Sequence, residues 1–308
     1  MSEIRKHYFL DKYCVIANER GKRPTDFMTK KEPEIQSNSC PFCPTNESMT
    51  PPATVYKLCR RKIFKYTETE YSQPSNWNIR CFKNLYPALP GHEVIVESPD
   101  HNKQLAEFTD DEINLLMQVY RDRTALHFEN KAKYVSIFRN YGKDAGASLS
   151  HPHSQVIPLP FIPPEIEEEL EFIKESGQCP YCDIVKQESG GERTIIENDH
   201  WIVFAPYYSR SPFEMWILPK KFINNLTNPG ALAMLGITLR DTLKKLKKLL
   251  NDPSYNYMVF QMDDVHYHMS IRIEPKLSIA GGFEKGTGVY INTMPPEEAA
   301  RLLKETEI

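Results

Sequence analysis

The sequence predicts an α+β fold built from two copies of one unit, with antiparallel sheets and flanking helices. Three observations carry that expectation. A C-P-x-C pair occurs twice, as Cys40/Cys43 and Cys179/Cys182. An H-x-H pair occurs twice, as His151/His153 and His266/His268. Between each cysteine pair and its histidine pair the same order of strand, helix and strand recurs. The repeat divides the chain into an N-terminal half, residues 1–165, and a C-terminal half, residues 166–308.

In the first half the strand "HEVIVES" (92–98) follows the cysteine pair. A helix then opens at Thr109, with Glu112 three residues on, the pattern of a capping box. Its apolar residues Ile113, Leu116, Met117 and Tyr120 follow the i, i+3, i+4, i+7 spacing of one buried face. The strand "YVSIFRN" (134–140) leads to "SLSHPHSQVIPLP" (148–160). A link, "FIPPEIEEELEFIKESGQ" (161–178), starts at a proline pair and reads as helical.

In the second half come the strands "WIVFAPY" (201–207) and "FEMWILP" (213–219). A helix follows with Leu235, Leu239, Leu243, Leu246 and Leu250 on one face and the lysines of 244–248 on its wet face. The strands "YNYMVFQ" (255–261) and "VHYHMSIRIEP" (265–275) complete the unit. Alternating strands joined by short turns favour antiparallel pairing.

Composition narrows the function classes. The chain has 308 residues and 40% hydrophobic content, enough for a sizeable core. A net charge of −3 gives no reason to expect nucleic acid or an anionic membrane as partner. No run of about 18 apolar residues occurs, and the charged start "MSEIRKHYFL" lacks a signal-peptide core, so the expected location is cytoplasmic. Seven cysteines agree: in a reducing compartment C-x-x-C points to metal or redox chemistry before a structural disulfide. Neither pair sits at a strand-to-helix turn of a βαβ unit, which argues against a redox dithiol. Cys14, Cys59 and Cys81 read as buried small hydrophobes.

The histidine stretch asks for more than packing. Placed on one strand, His151, His153 and Gln155 share a face. Two imidazoles and an amide on a buried face are costly unless something pairs them. A lone histidine would read as a satisfied core residue; this trio reads as a site.

"NYGKDAGASLSHPHSQ" (140–155) resembles the active-site segment of galactose-1-phosphate uridylyltransferases, a branch of the histidine-triad superfamily. "ERGKRP" (19–24), "CPFC", "ESPDH" (97–101) and "AGGFEKGTG" (280–288) match that family in the same order, so the resemblance covers essentially the whole chain. It implies an enzyme that moves UMP from UDP-glucose to galactose 1-phosphate. By that resemblance His153 is the nucleophile that takes the nucleotide, in a covalent two-step exchange. The carbonyl of His151 is expected to hold its other ring nitrogen. Gln155 stands where histidine-triad hydrolases carry a third histidine. An amide cannot act as an acid but can donate to a phosphoryl oxygen, which suits transfer better than hydrolysis. Ser148 and Asn140 match phosphate-contacting residues, Arg20 and Arg23 match basic residues near the nucleotide, and Asn84 falls at the nucleoside pocket.

The resemblance also implies zinc. Cys40, Cys43, His101 and His151 match ligands of a closed, structural, tetrahedral site. The second half would repeat it with Cys179, Cys182 and His266, but Phe222 occupies the place of a fourth ligand, and the counterpart of His200 in relatives is not used as one. That second site is expected to be incomplete, and its half non-catalytic, since Ser270 follows Met269 where a glutamine would be needed. Phe283 and Glu284 match an aromatic–glutamate pair that contacts the sugar phosphate across a homodimer interface. Ser278 replaces that segment's lysine and Tyr290 its glutamine. The "GFEKGTG…IN" pattern is also similar to ADP-glucose phosphorylase, which uses inorganic phosphate as acceptor, and Leu85 stands where bacterial uridylyltransferases have an aspartate. The remaining alternative is a non-catalytic zinc-binding protein; loss of His153 would have been its signature, and His153 is present.

Overall fold

The computed structural model describes residues 2–17, 27, 40–69 and 76–308. Arg20 and Arg23 lie outside them. The first half contributes β1 (Glu3–Lys6), β2 (Tyr13–Ile16), β3 (Thr54–Cys59), β4 (Lys62–Thr67), β5 (Ile79–Lys83), β6 (Glu93–Val96), α1 (Asp110–Glu129), β7 (Tyr134–Tyr141) and β8 (His153–Leu159). The link forms α2 (Pro164–Ser176), and α3 (Pro180–Glu188) starts inside the second cysteine pair. Then follow β9 (Thr194–Glu197), β10 (Trp201–Phe204), β11 (Met215–Pro219), α4 (Leu235–Leu250), β12 (Tyr255–Phe260), β13 (Ser270–Pro275), α5 (Gly282–Thr287), β14 (Tyr290–Asn292) and α6 (Pro296–Glu305).

Local chemistry sets the helix ends. The predicted capping box is present: Glu112 N–H donates to Thr109 Oγ1 at 3.3 Å and Thr109 N–H to Glu112 Oε2 at 2.7 Å. Pro164 supplies the first turn of α2, where a missing N–H costs nothing, and Gly177 ends it in the left-handed region.

Among the described residues an eleven-stranded sheet runs β4-β3-β5-β6-β8-β7-β12-β13-β11-β10-β9. The order mirrors itself about the β7–β12 contact, where Asn140 faces Asn256. Each half supplies a hairpin, a helix and a second hairpin: β5-β6, α1, β7-β8, and β10-β11, α4, β12-β13. The α+β class and the repeat of an antiparallel unit follow the expectation. A small sheet, β1-β2-β14, lies apart, with β2 and β14 parallel.

One face of the large sheet carries a core common to both halves. Ile95, Ile137 and Val156 join Val203, Ile217, Val259 and Ile271 beneath α1, α4 and α6. Each such side chain contributes roughly 1.5–3 kcal/mol by leaving water. The other face is divided. In the second half α2 and α3 cover it, packing Ile166, Leu170, Ile173 and Ile184 on Phe204, Trp216 and Leu218. In the first half, among the described residues, Phe82, Val94 and Val96 pack with Ala53, Val55 and Trp77 and against the turn that carries Cys40, Phe42 and Cys43. His153 faces Val96 and Gln155 faces Val94 across β6, so both belong to that less covered face.

Two strand limits differ from expectation. β8 begins at His153, so His151 stands before the strand. β13 begins at Ser270, so His266 and His268 both precede it. The backbone leaves the ladder at these points because the rings of His151 and His268 turn to the cysteine pairs.

Candidate active site and metal centre

Cys40 and Cys43 share a tight turn, closed by Cys43 N–H donating to Cys40 O. His101 lies in the loop after β6 and His151 just ahead of β8. Their ligand atoms converge, all four residues buried. Cys40 Sγ is 3.7 Å from His151 Nδ1; Cys43 Sγ is 3.5 Å from the same atom and 3.3 Å from His101 Nδ1. Metal bonds of about 2.3 Å to sulfur and about 2.0 Å to nitrogen in a tetrahedron would space the two by about 3.5 Å. The donor set therefore fits a metal ion. The outer ring nitrogens are tied, His151 Nε2 to Ser98 O at 2.8 Å and His101 Nε2 to Ser150 Oγ at 3.1 Å, which fixes both rings. Burial pushes the Cys43 thiol up to about 12 and holds His151 down to about 4. A cation among these groups removes the cost of the thiolate form.

His153 follows two residues later. The carbonyl of His151 can only accept, so the 2.8 Å contact makes His153 Nδ1 a donor and leaves the Nε2 lone pair free. Burial, and then the charge of Arg139, lower its pKa and keep the ring neutral at pH 7. Arg139 is itself buried on Glu97 at 3.0 Å and donates to Tyr255 Oη and to Gln104 Oε1. Gln104 in turn donates to Ser150 O, which anchors the histidine loop to the core.

The anticipated row of three is a pair: His153 and Gln155 share a face of β8, while His151 has turned away to the cysteines. Gln155 Oε1 lies 2.9 Å from His92 Nε2. Extending the β7–β8 register by two residues from Phe138–Gln155 brings Asn140 beside His153. Ser148 is exposed in the loop between. That loop leaves β7 through Gly142 at φ +79°, where a Cβ would lie 2.1 Å from Ser254 Oγ, so only glycine fits. Asn84 is half-buried with its Nδ2 3.3 Å from the His92 ring, on the Gln155 side of the site. Phe283 and Glu284 lie on α5, which packs on β14; Glu284 Oε2 accepts from Gly281 N–H within the same segment.

In the second half one expected ligand is corrected. Cys179 and Cys182 gather with His268, at 3.4 and 3.6 Å from its Nδ1, and His266 is exposed. Register explains it. His151 stands two residues before β8, and His268 two before β13. His268 Nε2 also meets a carbonyl of the adjoining strand, Pro219 O at 3.2 Å, as His151 meets Ser98 O. Matching H-x-H to H-x-H was thus two residues out of step: His268 answers to His151, and Ser270 answers to His153. The Phe222 ring stands 5.4 Å from His268, much as His101 stands 5.2 Å from His151, so an apolar ring fills the fourth place. His200 is exposed and outside the cluster. A cavity of about 510 Å³ opens beside the Cys179–Cys182–His268 cluster, lined by Cys179, Phe222 and His266 among others.

Three residues escaped the sequence reading. Glu169, within the acidic run of α2, is fully buried and accepts from Tyr181 Oη, Tyr267 Oη and Arg272 Nη2 at 2.7–3.0 Å. Its signal was its place on the stripe Ile166, Leu170, Ile173. His92 alternates with Val94 and Val96, and Asn256 sits opposite Asn140.

A family model described as galactose-1-phosphate uridyl transferase, N-terminal domain, matches residues 1–163. The chain belongs to that family. Among its relatives, ADP-glucose phosphorylase of Arabidopsis thaliana is 31% identical over 99% of this chain and 93% of its own length. Galactose-1-phosphate uridylyltransferase of Thermotoga maritima is 30% identical over 100% of this chain and 99% of its own. A crystal structure of the A. thaliana ADP-glucose phosphorylase with bound ADP-glucose superposes with a TM-score of 0.80 at 29% identity, covering 100% of both chains. No helix among the described residues is long and apolar enough to cross a membrane.

Proposed function

We propose that the chain is a nucleotidyltransferase moving UMP from UDP-glucose to galactose 1-phosphate. The observation that carries this is the His153 Nδ1–His151 O hydrogen bond, which leaves a neutral imidazole with Nε2 free. Nε2 attacks the α-phosphorus of UDP-glucose, the bond to the bridging oxygen breaks, and glucose 1-phosphate leaves with those electrons. A phosphate oxygen of galactose 1-phosphate then attacks the same phosphorus, the phosphorus–nitrogen bond breaks, and UDP-galactose departs with His153 restored. Gln155, Asn140 and Ser148 donate to the phosphoryl oxygens as charge shifts onto them. Arg20, Arg23 and Asn84 hold the nucleotide, and Phe283 and Glu284 the sugar phosphate.

Zinc at Cys40, Cys43, His101 and His151 supplies structure alone, having no open position. The four ligands pin the segment whose carbonyl orients His153. Cys179, Cys182 and His268 hold at most a weaker second ion. Residues 1–165 carry the catalytic site, and 166–308 the sugar-phosphate contacts and the interface of a homodimer. The seven free thiols suit a reducing cytoplasm.

A second reading has its own support. The A. thaliana ADP-glucose phosphorylase matches this chain over nearly its whole length, and Leu85 is not the aspartate of bacterial uridylyltransferases. In that reading the first step uses ADP-glucose, and inorganic phosphate accepts the nucleotide. One experiment tests both. The protein is mixed with UDP-glucose or ADP-glucose alone, without acceptor. The expected result is a burst of about one glucose 1-phosphate per site from UDP-glucose, with the nucleotide held on the protein in an acid-labile bond. A burst from ADP-glucose alone selects the second reading; no covalent nucleotide from either removes both.

A further inference from the structure

The sheet face that holds His153 also presents two side-chain amides, Gln155 and Asn140. An amide has an accepting end and a donating end. Beside a phosphoryl oxygen only the NH₂ end attracts, so a free amide would spend part of its time turned the wrong way. Each of these two is tied by a neighbour, and each neighbour is itself fixed by a backbone group.

The first tie is His92, buried at 5% exposure. Ala88 N–H lies 3.1 Å from His92 Nδ1. A backbone N–H can only donate, so Nδ1 bears the lone pair. In the neutral ring Nε2 then carries the hydrogen. Burial favours that neutral ring by lowering the pKa of His92. Nε2 is 2.9 Å from the Gln155 side chain, which must meet it with Oε1. The Gln155 NH₂ is left without a hydrogen-bond partner among the described residues.

The second tie is Asn256, across the β7–β12 seam. Its Nδ2 donates to Ala145 O at 2.9 Å, and a carbonyl can only accept. The same NH₂ donates to Asn140 at 2.8 Å, which must meet it with Oδ1. The Asn140 NH₂ is then on the side of Gly146, where a Cβ would stand 3.8 Å from Nδ2.

We infer that His92 and Asn256 are positioning residues for nucleotidyl transfer, holding the Gln155 and Asn140 amides with their NH₂ ends toward the reacting phosphoryl group. The inference rests on the reading of His153 as nucleophile. It also assigns the second half a part in the chemistry of the first, since Asn256 lies on β12. Neither residue touches the substrate; each acts through another side chain.

The test is a pair of double-mutant cycles on the full chain, read as the single-turnover rate of nucleotide loading from saturating UDP-glucose. Loss of one donor in Gln155→Ala should slow loading about 100-fold, and His92→Phe, which only frees the amide, about 10-fold. The double variant should be no slower than Gln155→Ala, because His92 has nothing left to orient. His92→Gln restores a donor near the Nε2 position and should load within about threefold of wild type. Asn256→Asp cannot donate and should slow loading about 10-fold, an effect absent in an Asn140→Ala background. Half-saturating UDP-glucose, zinc content and melting temperature should stay near wild type, which a merely structural role would not allow. Additive effects in both cycles, or full-speed loading by His92→Phe and Asn256→Asp, would overturn the inference. If His92→Phe does not fold, His92→Gln and Asn256→Asp decide. A wild-type protein that never loads would instead strike down the nucleophile reading and the inference with it.

Discussion

The two halves build the same hairpin, helix and hairpin, yet their sheets meet different company on the face away from the shared core. In the first half that face holds His153, Gln155 and Asn140, and among the described residues the turn carrying Cys40 and Cys43 packs on it where the second half has two helices. In the second half α2 and α3 lie over it, and Glu169 reaches in to Arg272. Arg272 is stacked 4.1 Å from the Phe260 ring centre and 4.5 Å from that of Trp216, with Tyr181 and Tyr267 completing the partners of the carboxylate. A fixed carboxylate thus occupies, in the second half, the kind of surface on which the first half carries the proposed nucleotide site. Strand order alone does not make a site on this fold; what covers the sheet decides.

The comparison can be broken most forcefully at the equivalent positions His153 and Ser270. Replacing His153 by glycine removes the proposed nucleophile and should lower nucleotide loading by about 10⁴-fold or more. Ser270→Ala should load at the wild-type rate with the same burst. A comparable loss at Ser270 would mean that the second half takes part in the covalent step directly.

A smaller effect is expected from opening the second half. Glu169→Ala leaves Arg272 buried without its counter-charge, which should cost about 3–5 kcal/mol of stability, read as a fall in the denaturant midpoint. No loss of stability would mean that Arg272 finds water or another partner, and that the second face is less closed than its packing indicates.

The gentlest test concerns the metal sites. Cys40→Ser should lower the zinc content by about one equivalent per chain and impair loading, since it removes one of the four ligands proposed to pin the segment that orients His153. Phe222→His should complete a Cys₂His₂ set and raise zinc content by about one equivalent per chain, with loading unchanged. If elemental analysis finds no gain, Phe222 is not the counterpart of His101.

Most of the fold could be read ahead of the structure because its signals are local. The capping box at Thr109, the leucine stripe of α4 and the proline at the head of α2 each act within a few residues. The first site was legible for another reason: His153 and Gln155 lie in one unbroken strand, and the run from Asn140 to Gln155 matches a family segment residue by residue. The errors arose where contact depends on register. His266 and His268 look interchangeable in a string of letters, but only the residue two positions before β13 faces the cysteines. Glu169 sits in a run of five glutamates between 165 and 171, of which it alone is fully buried, and only the pitch of α2 singles it out. His92 and Asn256 act through other side chains, across distances in sequence that no motif spans.

The seam at β7–β12 has a consequence for how the chain comes to be folded. β7 gains its outer neighbour only when β12 exists, more than a hundred residues later. The core beneath the sheet likewise needs both α1 and α4. A nascent first half therefore leaves the ribosome with an eight-residue open edge and an unfinished core. Its own histidine loop cannot be fixed at that stage, because Asn256 and Tyr255, which hold Asn140 and Arg139, have yet to be made. Catalytic competence should thus be a late event in synthesis, and a chain cut between the halves should leave neither a stable first half nor a partial enzyme.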